Sequence, residues 1–452
     1  MGIAETIKRL PLARSLYQFP RAVGLYHLAM AFLGALLHGF PSRKMIVVGV
    51  TGTKGKTTTC NLIGQILTSA GFRVGVLTTV NIKIAEKEFI NRTKQTMPGR
   101  FGLQKLLSEM EQGGCQYAVV ETSSEGILQH RHRFIDYRVA VFTNLSPEHI
   151  ERHGSFERYR DAKTELFKIV ARRSGGIGVY NLDDKNVLYF LKPNVKVKYG
   201  YGQKASGQYT VPIENKYQIS NVKLGRDTIR FRMAGKTFEA PLRGEFNVYN
   251  AAAAICTALS QGVSAQTIQA ALREARQIPG RMELVNKGQK FTVVVDYAHE
   301  PASLEAAYKA LKLFRPKKII GLLGAQGGGR DMWKRPAMGK VAADYCNEIV
   351  LTNEDPYDED PMSIMNDVER GILGEKKKRV SVYKIIDRKD AIRKAISLAR
   401  PGDAVLLTGK GGEVWMCVEG ERKIPWDEKR VVEEILQEAN QGKINPQGRK
   451  SV

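Results

Sequence analysis

A strand-like run that breaks into glycines and a lysine–threonine pair limits what this chain can fold into more than any other feature. MIVVGV (45–50) leads into Thr51-Gly52-Thr53-Lys54-Gly55-Lys56-Thr57-Thr58, and a helical pattern, TTCNLIGQILTSA, follows at once. Glycines in such a turn let backbone N–H groups face an anion, and the helix behind adds the positive end of its dipole. Lys56 would neutralise the outer phosphates of ATP, and the Thr57 hydroxyl would ligate Mg²⁺. The spacing is the short GTxGKTT form and not GxxxxGK[ST], because Val50 stands four before Lys54. The loop alone specifies nucleotide binding and no reaction, since kinases, GTPases and motors use similar loops.

A sheet has to carry that loop. Further apolar runs, RVGVLTTV (73–80), YAVVET (117–122) and RVAVFTN (138–144), alternate with helical patterns such as GRFGLQKLLSEM. This is the β-α-β rhythm of an α/β domain with a mainly parallel sheet. Residues 195–240 are short, polar and β-type, which predicts a small antiparallel insertion. FNVYNAAAAICTALSQG (246–262) predicts a helix. A second α/β unit begins near Gly280, with strands in FTVVVDYA, KKIIGLLGA, NEIVLTN and GDAVLLTGK. The expected organisation is an N-terminal helical segment (1–44), a central nucleotide-binding domain (45–278), a C-terminal α/β domain (279–440) and a polar tail (441–452).

The 452 residues carry a net charge of +24. Nucleic acid, an anionic membrane surface and polyanionic small substrates all suit such a balance. Basic residues run along the whole chain without an RNA-binding signature, so nucleic acid is not expected as a partner. Five cysteines lie far apart with no CxxC pair, which excludes a disulfide framework or a zinc ribbon and fits a reducing cytoplasm. Residues 1–44 hold six basic residues and one acid, around the uncharged stretch AVGLYHLAMAFLGALLHGFPS. His27 and His38 are eleven apart and fall on nearly one helical face, as in an amphipathic helix at a membrane interface. Spanning a bilayer and docking on the body of the enzyme are the alternatives.

Glu121 closes a strand of the parallel sheet, on the side where ligands bind, and is a candidate Mg²⁺ ligand. His149 and His153 are four apart, but no third soft ligand lies near, so assistance to Mg²⁺ or phosphate suits them better than zinc. Lys163 stands on a helix among Asp161 and Glu165, and by itself reads as part of a solvated face.

These motifs closely resemble the Mur ligase family, specifically its UDP-N-acetylmuramoyl-tripeptide synthetases. The resemblance covers residues 45–430. It rests on GTKGKTT, ETSSEGILQHR, NLSPEHIERHGSFERYRDAKTELF, LRGEFNVYNAAAA, IPGRMELV, VVDYAHEPASLE, GGGRDMWKRPAMG, NEDPYDEDP, DRKDAI and GDAVLLTGKGGE, in that order. It implies a central P-loop ATPase domain and a C-terminal Rossmann-like domain, with the active site between them. It implies an ATP-dependent ligase that phosphorylates the D-glutamyl carboxylate of a muramoyl dipeptide and lets the amine of an amino acid displace phosphate. Lys56 and Thr57 match the nucleotide loop, and Glu121 and His149 match metal ligands. Lys163 matches the lysine that reacts with CO₂ to become a carbamate, an anionic metal ligand. Thr96, Ser123, Gln129 and Arg131 match positions that hold the muramoyl peptide. Asn247, Asn250, Arg281 and Asp296 match nucleotide contacts. Arg330, Gly409 and Glu413 match residues that grip the incoming amino acid.

Three departures from the family pattern stand out. The N-terminal uridine-binding domain is missing before residue 45, so the acceptor is expected to be either UDP-linked and held elsewhere, or lipid-linked with residues 1–44 at the membrane surface. The selectivity motif DNPR reads Glu354-Asp355-Pro356-Tyr357. Tyr357 cannot make the bidentate pair of an arginine with a distal carboxylate, and the acids around it, Asp358 included, favour L-lysine over meso-diaminopimelate. GKGHE reads GKGGE, with Gly412 in place of histidine. A folylpolyglutamate synthase-type ligase shares the phosphate loop and also lacks a uridine domain, but ETSSEG and NEDPYDEDP favour the muramoyl-peptide branch. A non-catalytic scaffold would not be expected to keep Lys56, Thr57, Glu121 and Lys163 together.

Overall fold

The computed structural model describes residues 20–93, 95–204, 212–329, 331–374, 380–420 and 422–441, with side chains from residue 23 onward. The chain forms two compact units. One is drawn from Met1–Ser146, Gly154–Gln218 and Asn250–Ile268, the other from Pro147–His153, Ile219–Tyr249 and Gln269–Val452.

The first unit is built on β1 (Ile46–Thr51), which is buried from Val47 onward because Val and Ile pack on both faces of a covered parallel sheet. It pairs in parallel with β5 (Tyr117–Glu121) on one side and β6 (Tyr137–Phe142) on the other. The flanking strands are β2 (Val74–Leu77), the antiparallel ribbon β3 (Asn81–Ile84) and β4 (Lys87–Ile90), then β7 (Ile177–Asn181), β8 (Val197–Gly202) and β9 (Asn215–Gln218). The sheet order is β4-β3-β2-β5-β1-β6-β7-β8-β9. Register sets Val50 opposite Glu121, so the glycine loop and the Glu121 carboxylate leave the sheet at the same edge.

Residues 195–240 are only partly the antiparallel insertion that their polarity predicts. β8 and β9 continue the main sheet in parallel. Only Ser220–Leu224, Ile229–Met233 and Lys236–Ala240 (β10–β12) form a separate antiparallel sheet. The edge position of β9, with its intermediate and exposed residues, explains the polar sequence.

Helix α1 (Pro20–Leu37) lies against α3 (Arg100–Gln112), with α2 (Lys56–Ser69) between them in sequence. Ala31 and Ala35 are buried, and His38 meets the Phe101 ring edge-on at 5.3 Å. Among the described residues no helix is long and apolar enough to cross a membrane. The histidine pair does not form a solvated polar face. His27 is buried and the bulky residues Leu25, Phe32, Leu33, Leu36 and Leu37 are exposed instead.

The second unit carries a six-stranded sheet, β13 (Glu283–Leu284), β14 (Thr292–Val295), β15 (Ile319–Leu323), β16 (Glu348–Thr352), β17 (Ser381–Ile385) and β18 (Ala404–Leu407), ordered β13-β14-β18-β15-β16-β17. β17 lies at the sheet's edge with only partly buried residues and was not legible as an apolar run. A hairpin, β19 (Trp415–Val418) with β20 (Arg422–Pro425), stands apart. Arg388 and Glu428, both with fully buried side chains, pair through two hydrogen bonds of 2.6 and 2.9 Å. Arg388 also donates to Asn353 O and Thr408 O, and so ties the ends of β16 and β18 together.

Candidate active site

The loop after β1 is held open by its own turns. Gly52 and Gly55 have φ of 148° and 82°, a range that glycine adopts without Cβ strain. A Cβ on Gly55 would stand 2.2 Å from Asn250 Oδ1, so Asn250 closes directly on the loop. Thr53 N donates to Asn144 O, Lys54 N donates to Asn144 Oδ1, and Thr143 Oγ1 donates to Lys54 O. Thr51, Thr57 and Thr58 are buried, and Lys56 Nζ donates to Thr53 O at 2.8 Å. Asn247, one turn before Asn250 on the helix Phe246–Ser260, donates to Arg243 O.

Glu121 is 2% exposed and gathers three donors. Its Oε2 accepts from Thr57 Oγ1 and Thr79 N, each at 2.9 Å, and its Oε1 accepts from Thr79 Oγ1 at 3.1 Å. Thr79 Oγ1 and Thr96 Oγ1 lie 2.9 Å apart, which continues the chain. Lys163 is not on a solvated face. It is 2% exposed, its Nζ donates to Gly52 O at 2.7 Å, and it sits 4.6 Å over the Tyr159 ring. Ser155 caps the helix Phe156–Ala171 and orients that buried side.

Ser123 caps the short helix Ser124–Leu128 by accepting from Gly126 N. Gln129 and Arg131 follow it. Arg131 Nη2 donates to Gln129 Oε1 at 2.7 Å, and its Nη1 donates to Gln95 Oε1 and to Met97 O. Arg100 reaches the same glutamine, through Nε to Gln129 O at 3.2 Å and Nη2 to Gln129 Oε1 at 3.4 Å.

In the second unit, Lys410 is the hub. Its fully buried Nζ donates to Asp355 Oδ1 at 3.0 Å, Glu413 Oε2 at 2.6 Å and Trp415 O at 2.7 Å. Tyr297 OH donates to Glu413 Oε1, and Arg281 stacks 4.4 Å over the Tyr297 ring. Asp296 spends its two oxygens on Met282 N and Ala298 N. Glu354 is 1% exposed, and its carboxylate has no hydrogen-bond partner among the described residues. Burial, reinforced by Asp355, pushes its pKa up to about 7. A Cβ on Gly409 would stand 2.5 Å from Glu354 Oε2. Tyr357 adopts φ 54° beside Gly328, and Asp358 accepts from Gly420 N. His149, also left-handed at φ 56°, belongs to this unit, where its N–H donates to Asp331 Oδ2 at 2.9 Å. Arg330 lies outside the described residues.

The Mur ligase middle domain matches residues 50–258, and the Mur ligase glutamate ligase domain matches residues 280–411. The UDP-N-acetylmuramoyl-L-alanyl-D-glutamate–2,6-diaminopimelate ligase of Geobacillus kaustophilus is 36% identical over 418 residues, covering 91% of this chain and 82% of that one. The chain belongs to the Mur ligase family. A solved structure of a ligase of that same name superposes with a TM-score of 0.58 at 30% identity, over 88% of this chain and 79% of the other. Folylpolyglutamate synthase of Mycobacterium tuberculosis shares the fold at 18% identity, with a TM-score of 0.67 over 88% of this chain and 96% of the other.

This Mur ligase is accordingly an ATP-dependent, ADP-forming ligase that uses Mg²⁺. Its residues fit both: a hydroxyl and a carboxylate 2.9 Å apart are hard oxygen donors, and the glycine turn leads directly into a helix N-terminus. Thr79, Arg100, Tyr297 and Lys410 escaped the sequence reading. Thr79 sits just past a strand, and nothing in the residues beside Lys410 announces its burial between two carboxylates. At Gly412 a Cβ would stand 2.8 Å from Pro279 O, so the backbone as it runs here has no room for a side chain.

Proposed function

We propose that this Mur ligase joins an amino acid to the D-glutamyl carboxylate of a muramoyl-L-alanyl-D-glutamate acceptor, in peptidoglycan precursor synthesis. The supporting observation is the continuous line Thr57–Glu121–Thr79–Thr96, which links the phosphate loop to a residue of the acceptor motif. A carboxylate is a poor acyl donor, and conversion to an acyl phosphate supplies a leaving group. Lys56 and the backbone N–H groups of Thr51–Thr58 would hold the phosphates, Asn247, Asn250, Arg281 and Asp296 the rest of the nucleotide. Bound Mg²⁺ offsets the charge that builds up when two anions meet. Thr57, Glu121 and His149 would hold it, with Lys163 as a carbamate adding an anionic ligand beside Gly52. Thr96, Ser123, Gln129 and Arg131 would hold the muramoyl peptide. Arg330, Gly409, Glu413 and the 354–357 segment would hold the amino acid.

The amino acid we assign first is diaminopimelate, the substrate in the names of the relatives. Asp355 is already paired with the buried Lys410 inside the chain, so its charge is not left over for a lysine side chain. The test is ADP release by purified enzyme with UDP-linked muramoyl dipeptide and a panel of amino acids. ADP that depends on both the dipeptide and diaminopimelate, with a tripeptide product by mass, is expected. ADP with a folate acceptor instead, or none with any pair, would overturn the assignment.

A lipid-linked acceptor is a second reading, favoured by the bulky apolar face of α1, with Arg43 and Lys44 just beyond the helix. Such a face suits the interface of an anionic membrane. Flotation with phosphatidylglycerol vesicles, lost when Leu33 and Leu36 become glutamate, would support it. Equal recovery without vesicles would end it.

A further inference from the structure

The acceptor wall has a residue on it that the family match does not reach. Helix α1 lies before residue 50, where that match begins. His27 on this helix is 8% exposed, and its Nε2 lies 2.9 Å from Arg100 Nη2. A guanidinium only donates, so Nε2 accepts and the imidazole proton sits on Nδ1. That Nδ1 is buried and has no partner among the described residues. Burial, followed by the nearby Arg100, His130 and Arg131, lowers the His27 pKa to about 4, which keeps the ring neutral and able to accept.

Arg100 also grips Gln129, through Nε to its backbone O and through the same Nη2 to its amide oxygen, and Arg131 grips that amide oxygen too. Two guanidinium groups thus converge on one glutamine. Burial first, and Arg100 after it, lower the Arg131 pKa to about 10, while Glu125 acts the other way.

We propose that α1 completes the acceptor-binding wall, with His27 as the positioning residue that holds Arg100 against Gln129 and Arg131, and Arg100 as a further contact for an anionic group of the muramoyl peptide. The proposal rests on the acceptor assignment made above. Both ends of the relay lie within the first unit. A helix that supplies a side chain to the wall also gives that segment a role in acceptor binding independent of any membrane.

Steady-state kinetics on the full chain test this, with His27→Leu, His27→Gln and Arg131→Ala, using UDP-linked muramoyl dipeptide, ATP and diaminopimelate. His27→Leu should raise the acceptor KM about tenfold, or about 1.4 kcal/mol, and leave kcat and the ATP KM nearly unchanged. His27→Gln, whose amide oxygen also accepts, should recover most of the loss. If His27→Leu leaves the acceptor KM alone while Arg131→Ala raises it, the relay is wrong and the acceptor assignment stands. If neither variant moves the acceptor KM, both fall. If His27→Leu raises the ATP and acceptor KM together with a lower Tm, and glutamine does not restore them, His27 is merely structural and the proposal is overturned.

Discussion

Thr57 and Glu121 are 64 residues apart in sequence, yet the threonine hydroxyl donates to the carboxylate at 2.9 Å. Parallel pairing of β1 with β5 makes this possible, because Val50 and Glu121 share a register position and the loop turns back over the strand end. Glu121→Gln keeps the shape but removes the charge. It should lower kcat by roughly 10²–10³-fold, the usual scale for losing an electrostatic group at a reacting centre, and raise the Mg²⁺ concentration for half-maximal rate. ADP release across a Mg²⁺ titration measures both.

Lys163→Ala should abolish turnover. If a carbamate is what the lysine contributes, added bicarbonate will not restore the variant, whereas a small carboxylic acid will restore part of the rate. The substitution also leaves Gly52 O without its 2.7 Å donor, at a cost of about 1–3 kcal/mol. A thermal melt separates that loss from the chemistry. A wild-type rate in the variant would remove the carbamate assignment.

Glu354 predicts an inverted pH dependence of stability. Its folded pKa of about 7 exceeds the ordinary 4.5, so the folded state binds this proton more tightly than the unfolded chain does. Stability from this group is therefore fully present below 4.5 and is lost as pH rises through about 7, amounting to about 3 kcal/mol. Glu354→Gln should flatten the stability profile between those limits, as read by urea unfolding at a series of pH values. An unchanged slope would mean that the carboxylate finds a partner in solution.

Glu428→Ala should destabilise the second unit by about 3–5 kcal/mol, because it strands the fully buried Arg388 charge. Arg388 also holds Asn353 O and Thr408 O, at the entrances to the 354–357 and 409–413 segments. The variant should therefore raise the amino-acid KM more than the ATP KM. Equal rises, or an unfolding midpoint within error of the parent, would refute this coupling.

Patterns local in the chain were legible without the fold. The glycine loop, its strand and its helix follow from neighbouring residues, as do the buried runs of β1, β5, β15, β16 and β18. Their β-branched and leucine side chains have few other places to go. Edge strands were not legible, because β9 and β17 bury little and so carry no apolar signature.

What the sequence by itself determined is the α/β class, the phosphate loop and the family. What only the tertiary structure decided is which equivalent-looking polar residues matter. Lys410 is an ordinary lysine in sequence and Lys163 stands out there only through the family motif; packing between Asp355 and Glu413, or against Gly52 O, gives each its buried surroundings. His27 lay on a helical face that the sequence left open between water, membrane and protein, and the structure buries it beside Arg100. Charge and hydrogen-bonding capacity belong to the residue, but the dielectric around it and the partner across from it come from segments dozens of positions away.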